Sequence, residues 1–424
     1  MGLQLKCIAC LFFVLVSSFS KAQSVEWVSQ DSTLRIQPYM QLQLWGVSSF
    51  NMKVDLNEDG VPEPVENRFN PFFRRARLGF NANAYSNLKF KVAAFYDGLG
   101  RDILGANIGP AANRTPGIAL WDAFFSWNII PASDWLHVTG GYFRPQFGRE
   151  SITSGFATTS GEKATQQSYI RNHLVGKGTG RATGMNAGGL VPTGNRAVSI
   201  NYNVGVFHTN TTGSGPSAGL QSSGVFWSPL FAVRTVVNLG DPEMDEYKIA
   251  YVSNYYNQRE GISIGFSGAT QGQTDLFTRS TAVGADFLFN WGKVNVDADW
   301  ALMNRTLTGE TGNPMVNYSY NTGHIRGSYN VVLPNQKIIE PVLMWEQFNG
   351  GAPDDEGAEQ VGAYSGSTQN WNIGCNYYLN THKLKIIAHY IIQEGTAGNN
   401  VYTRQAGYRI ERGNYFVLGL NAVF

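Results

Sequence analysis

Apolar and polar residues alternate with a period of two along most of this chain of 424 residues. That is the pattern of strands with one buried face. Between Phe416 and Phe424, Phe416, Leu418, Leu420, Ala422 and Phe424 fall on one side, and Val417, Gly419, Asn421 and Val423 on the other. Between Phe72 and Ala84, Ala76, Leu78, Phe80, Ala82 and Ala84 oppose Arg75, Arg77, Gly79, Asn81 and Asn83. After Tyr85-Ser86-Asn87 the chain returns with Leu88, Phe90, Val92 and Ala94 on one face and Lys89 and Lys91 on the other. Ile36, Met40, Leu42 and Leu44 oppose Arg35, Gln37, Gln41 and Gln43. Trp121, Ala123, Phe125 and Trp127 oppose Asp122, Ser126 and Asn128. Val294, Val296, Ala298 and Trp300 oppose Asn295, Asp297 and Asp299. Leu384, Ile386, Ala388 and Tyr390 oppose Lys385 and His389.

One apolar face per strand suits lipid outside and a wet lumen inside, whereas a sandwich needs a second apolar layer. Short turns such as Tyr85–Asn87, Pro131–Asp134 and Asn380–His382 alternate with long Gly- and Asn-rich loops. The prediction is an all-β fold, a transmembrane antiparallel β-barrel of about sixteen strands with short periplasmic turns and long outer loops. Gly240 to Glu260 breaks the rule. It is either an ordered periplasmic insert or a hairpin that raises the count to eighteen. Arg144 to Gly180 is the longest run without alternation. A loop of that length usually has a function, here narrowing the pore from inside or covering its mouth. Trp127, Trp135 and Trp291 lie at short turns and predict an interfacial girdle. Cys375 shares a face with Trp371, Ile373 and Tyr377, which predicts a lipid-facing small apolar residue.

The ends agree. Lys6, the apolar run Cys10 to Phe19 and Ser20-Lys21-Ala22 form a signal peptide over 1–22, leaving a barrel domain over 23–424. Cleavage leaves Cys375 alone, so no intramolecular disulfide is expected. Of 32 basic residues, Lys6 and Lys21 leave with the signal, so 30 face 31 acids. That balance excludes a globally basic nucleic-acid binder. The terminal Phe424 resembles the signal read by the barrel-assembly machinery.

Candidate chemistry is sparse. Gly215-Pro216-Ser217-Ala218-Gly219 matches the hydrolase string G-x-S-x-G, but it lies in a Gly/Ser-rich loop without the strand and helix that aim the hydroxyl. Asp55, Asn57, Asp59 and Glu66 have the spacing of a Ca²⁺ loop, with Gly60 at the turn. Flanking helices are missing, and the alternative is a solvated acidic loop. No other cofactor is required. The functional signal is inward charge. Arg35, Arg75, Arg77, Lys89, Lys91, Arg144 and Arg149 are candidate basic pore-lining residues. Asp286, Asp297, Asp299, Glu340 and Glu346 fall inward across the barrel. Opposed charge across a narrow lumen orients polar solutes and screens against apolar ones.

With these residues in view, the chain resembles the phosphate-selective porin O/P family, particularly its Bacteroidetes-type members. The likeness lies in Asn70-Pro71-Phe72-Phe73-Arg74-Arg75-Ala76-Arg77-Leu78-Gly79-Phe80 and its Lys-rich return strand. It continues in Gly140-Gly141-Tyr142-Phe143-Arg144-Pro145-Gln146-Phe147-Gly148-Arg149-Glu150 and the long loop after it, and ends with the aromatic terminal strand. The resemblance implies a sixteen-stranded, trimeric pore with its third outer loop folded inside. The expected function is passive outer-membrane diffusion of small hydrophilic solutes or ions, with a lean toward anions such as phosphate. The rivals are a lipase-like barrel enzyme and a plugged structural or adhesive barrel.

Overall fold

The structure is a computed structural model and describes residues 25–55, 61–102, 104, 117–176, 179–192, 197–209, 225–308, 315–352, 355–381, 383–395, 409–411 and 413–424. The expected signal peptide and the string around Ser217 lie outside the described residues.

Sixteen long strands form one antiparallel sheet that closes on itself. They are β1 (Leu34–Phe50), β2 (Arg68–Ala84), β3 (Leu88–Phe95), β4 (Ala119–Asn128), β5 (His137–Phe143), β6 (Ala182–Pro192), β7 (Val198–His208) and β8 (Leu230–Gly240). The circuit continues with β9 (Gly261–Gln271), β10 (Arg279–Trp291), β11 (Val294–Leu307), β12 (Val316–Tyr329), β13 (Ile338–Asn349), β14 (Ser367–Asn380), β15 (Leu384–Gly395) and β16 (Asn414–Val423). Strands adjacent in the chain pair with each other, and β16 closes on β1 from Gln41↔Val423 to Phe50↔Asn414. The backbone of Phe424 continues the seam, its N–H donating to Met40 O at 2.9 Å and its carbonyl accepting from Met40 N–H at 3.1 Å. Closure pairs every edge, so the backbone can cross lipid with its polar groups satisfied.

The short strands Trp27–Val28 and Val331–Val332 add to β1 and β13 without crossing. Outside the barrel, Lys53–Asp55, Glu63–Pro64 and Arg409–Glu411 pair into a small sheet joining the first and last outer loops. Three short helices complete the described residues: α1 (Arg149–Ile152), α2 (Gln166–Val175) and α3 (Glu356–Gln360).

Outward positions are exposed apolar residues such as Leu78, Phe266, Leu302, Ile373 and Leu418. Trp127, Trp135 and Trp291 are exposed near the periplasmic turns. Cys375 is half-buried on the outer face of β14.

Two bulges change the inward set. Gln43 pairs with Arg75 while Leu44 pairs with Phe73, so Arg74 is an extra residue on β2. A bulge lets consecutive side chains reach one face, and Arg74 and Arg75 both bond Glu162 of the inner loop. On β4, Ala93 pairs with Asp122 while Ala94 pairs with Leu120, leaving Trp121 extra. Trp121 therefore does not face lipid as its alternation predicted. It is 9 % exposed and lies inside, against Arg77 and Arg181.

The lumen is also less polar than alternation predicted. Inward residues Trp45, Val47, Phe72, Ile387, Ile391, Tyr415 and Val417 form a buried cluster at the closing seam. A second cluster packs Tyr169, Ile170, Leu174 and Val175 of α2 against Phe207, Tyr320 and Phe348 of the wall. The Tyr169 and Phe348 rings stack at 3.9 Å. Burial of each such side chain contributes roughly 1.5–3 kcal/mol, enough to hold α2 in place. α2 ends at Gly176, whose φ of 70° closes the last turn.

Candidate functional site

The long connection between β5 and β6 folds into the barrel. Its first turn, α1, follows Gly148, whose φ of 61° is open to glycine but strained for other residues. A Cβ there would sit 3.0 Å from Asp299 Oδ2. That carboxylate instead accepts the Glu150 N–H at 3.0 Å.

The connection Gly240 to Glu260 forms no barrel hairpin. It is an ordered insert that enters the lumen from the periplasmic side. Tyr247 bonds Asn186 and Asn203 of β6 and β7. Tyr251 pairs with Thr153 of the inner loop through an isolated parallel bridge. Asn254 donates to Glu340 at 2.8 Å, and the Tyr256 ring meets Tyr378 of β14 at 5.1 Å. The insert and the inner loop thus meet inside the barrel. Arg149 joins them, donating to Glu243 at 2.8 Å and lying 3.3 Å from Asp286. Burial would raise the Glu243 carboxyl, but the charge and hydrogen bond of Arg149 override it and hold it below its ordinary value.

The five predicted inward acids are on the lumen side, and loop and insert cover them. Asp286 is 3 % exposed, Asp297 3 %, Asp299 1 %, Glu340 0 % and Glu346 5 %. Arg234 and Arg149 hold Asp286. Arg326 donates to Asp297 at 2.7 Å and to Glu150 at 3.0 Å. Glu346 accepts the Thr165 N–H. Glu340 accepts from Asn254, Ser328, Asn376 and Tyr378. The expected acidic wall facing open water is therefore corrected: these carboxylates anchor the structures that fill that side of the lumen. Glu150, Asp297 and His324 bring ligand-type atoms within 4.8 Å of one another. The Arg326 guanidinium bonds both carboxylates of that group and occupies their outward lone pairs, which makes it an ion-pair hub and a poor cation cage.

The predicted cations divide. Arg75, Arg77 and Arg149 are buried, also against expectation, because each clamps a carboxylate. Arg74 bonds Glu162 at 2.6 Å beside Arg75. Burial would raise the Glu162 carboxyl, but Arg74 and Arg75 hold it at about 2. Arg35 and Lys89 are exposed, and Lys91 and Arg144 are half-buried. Lys89 pairs with Glu246 of the insert at 3.0 Å.

Water therefore reaches the lumen side of β1 to β3, where Arg35, Gln37, Asn81, Asn83 and Lys89 are exposed. Ser154, Phe156 and Ala157 of the inner loop are half-buried. Further toward the outside this wall carries a guanidinium cluster around Trp121. Arg77 and Arg181 stack on the indole at 3.7 and 3.5 Å, and Arg144 lies 5.5 Å away. Asp122 holds Arg181 at 2.7 Å and Lys91 at 3.3 Å, and Asp97 holds Arg77 at 3.2 Å. Sequence reasoning missed Arg74, Arg181 and the inward Trp121.

Of the candidate calcium residues, Asp55 is buried in the outer sheet and Glu66 is exposed. Asn57 and Asp59 lie outside the described residues.

A closed barrel with a constricting inner loop after its fifth strand defines an outer-membrane porin. Three solved structures share the fold. The Salmonella typhi OmpF complex with daunomycin aligns with TM-score 0.54 at 10 % identity, over 94 % of this chain and 100 % of that one. The outer-membrane channel DcaP of Acinetobacter baumannii aligns with TM-score 0.53 at 13 % identity, over 94 % and 99 %. The anion-selective porin from Comamonas acidovorans gives 0.53 at 11 %, over 92 % and 100 %. No curated protein matches the chain. The model of the phosphate-selective porin O and P family matches residues 49–411, and the chain belongs to that family. It is an outer-membrane, multi-pass β-barrel through which small solutes diffuse passively.

Proposed function

We propose that this porin favours small anions, phosphate among them, and that they pass along the β1 to β4 wall. The observation that carries the reading is an excess of cations around Trp121 on that wall. Arg77, Lys91, Arg144, Arg171 and Arg181 share only Asp97 and Asp122 as ion-pair partners among the described residues. Arg144 donates to the carbonyls of Ser151 and Thr153 at 3.0 and 3.3 Å, and Arg171 also donates to Ser151 O. Burial, then the neighbouring charges of Arg171 and Arg181, pushes the Arg144 guanidinium well down from its ordinary value. A transient anion relieves that strain, because buried charge is costly unless compensated. The test is the reversal potential of Arg144→Gln in asymmetric KCl. A shift toward cations with an open pore supports the reading, and an unchanged potential refutes it.

The remaining expectations belong to the same reading. The function needs no covalent chemistry, so Ser217→Ala should leave transport unchanged. The short strands β3 to β5 suit close packing in a trimer, which light scattering of the detergent-solubilised protein checks. Phe424 acts during insertion by the barrel-assembly machinery. Calcium at Asp55, Asn57, Asp59 and Glu66 should protect the first outer loop from protease, and Asp59→Ala should remove that protection.

A further inference from the structure

One buried imidazole of the wall faces a carboxylate through one ring nitrogen and the inner loop through the other. His324 of β12 is fully buried. Its Nε2 lies 3.0 Å from Asp297 Oδ2 on β11, and its Nδ1 lies 2.5 Å from Gln166 Oε1, the first residue of α2. Asp297 can only accept, and with the Gln166 amide oxygen turned to the ring only the doubly protonated imidazolium donates from both nitrogens. We propose that His324 is a proton-operated latch on the inner loop, tight while the ring is protonated and looser once the proton leaves.

The groups facing the ring set the sign. Asp297 bonds it from β11, and Asp299 of β11 and Glu346 of β13 are its cross-strand neighbours. Glu150 approaches from the inner loop, within 4.8 Å of the ring's ligand atom. Against these four carboxylates stands Arg326 on the same strand, bonded to both Asp297 and Glu150. Lys163 lies near Glu150 in the chain fold but spends its ammonium on Thr153 O at 2.7 Å. The carboxylates outnumber the guanidinium, so the positive ring completes the hub.

The same carboxylates hold the loop backbone. Glu150 Oε1 accepts the Ala164 N–H at 2.7 Å, and Glu346 Oε2 accepts the Thr165 N–H at 2.5 Å. Three consecutive residues, Ala164, Thr165 and Gln166, are thus fixed by groups whose mutual repulsion the imidazolium relieves. When the proton leaves, Gln166 must turn its amide to donate to Nδ1. The charge-assisted bond to Asp297 weakens to an ordinary one, and repulsion among the carboxylates returns. The start of α2 is the part of the loop that loosens.

The experiment uses the full-length barrel reconstituted in lipid, with a cysteine at the half-buried Thr165 as reporter in a Cys375→Ser background. Thiol labelling is measured from pH 5 to 10 and corrected for the thiolate fraction with an exposed surface cysteine. The expected result is a step of about ten-fold in corrected rate as pH rises, the equilibrium equivalent of losing one charge-assisted hydrogen bond. His324→Gln should label fast at all pH values and show no step. Gln166→Ala keeps the imidazole but removes its loop contact, and should also lose the step while the barrel stays heat-modifiable on gels. A flat wild-type profile overturns the proposal, and so does a step that survives in either variant.

Discussion

The link between the periplasmic insert and the inner loop yields the sharpest mutational prediction. Arg149 is fully buried and donates to Glu243, with Asp286 as its second partner at 3.3 Å. Glu243→Ala removes the bidentate partner and leaves the guanidinium with the more distant carboxylate. Removing one partner of a buried ion pair costs about 3–5 kcal/mol. The retained Asp286 contact puts the expected value near the lower end, about 3 kcal/mol. At about 1.4 kcal/mol per decade, the unlinked form of the insert gains roughly two powers of ten in population. The barrel wall does not depend on this pair, so the variant should still insert. The expected readout is a single-channel conductance above wild type, with added open-channel noise from a loose insert. Glu243→Gln keeps an acceptor and should fall between the two. Acid should imitate the variant. The Glu243 carboxyl is held below its ordinary 4.5 in the folded protein. Its contribution is therefore complete above about pH 4.5 and is lost as pH falls through the lower folded value. Conductance and noise unchanged in Glu243→Ala would show that the insert is held elsewhere and refute the reasoning.

Other consequences are briefer. Asp297→Asn should mobilise the inner loop with little direct change in ion preference, because Asp297 is covered and bonded to Arg326 and His324; a large shift in reversal potential at constant conductance would contradict this. Deleting Phe424 should lower the amount of barrel in the outer membrane more than it lowers the melting temperature of what inserts, since the residue adds two backbone hydrogen bonds to a seam that is already paired. A cysteine at Ala352 should label in intact cells, and cysteines at Ser86 or Asn335 should not; equal labelling of all three would defeat the assigned orientation.

Much of this architecture was legible in the chain. Period-two alternation set the faces of β1, β3, β11, β15 and β16 correctly, and the alternation of short and long loops gave the circuit of about sixteen strands. The missing alternation after Arg144 marked the inner loop. Its helix α2 was invisible, because Gln166, Arg171, Asn172 and His173 are all buried beside Tyr169 and Ile170. A helix enclosed on every side shows no apolar stripe. The bulges at Arg74 and Trp121 were missed because strict alternation assumes one residue opposite one residue. The doublets Phe72-Phe73 and Arg74-Arg75 are the trace such a slip leaves. The filling of the lumen was not legible, since alternation reports which face a side chain takes and not what meets it there. Ile387, Ile391 and Val417 carried a hint: apolar residues on both faces of β15 and β16 call for packing on both sides.

The central claim is that solutes pass the basic wall of β1 to β4 while the acids opposite are covered. The reversal potential of the wild-type channel under a ten-fold KCl gradient tests it most directly, measured beside Lys89→Ser/Lys91→Ser. The expected wild-type potential has the anion-selective sign and moves toward zero in the double variant, with both effects shrinking at high salt as exposed charge is screened. A cation-selective wild type, or a potential indifferent to Lys89 and Lys91, would contradict it.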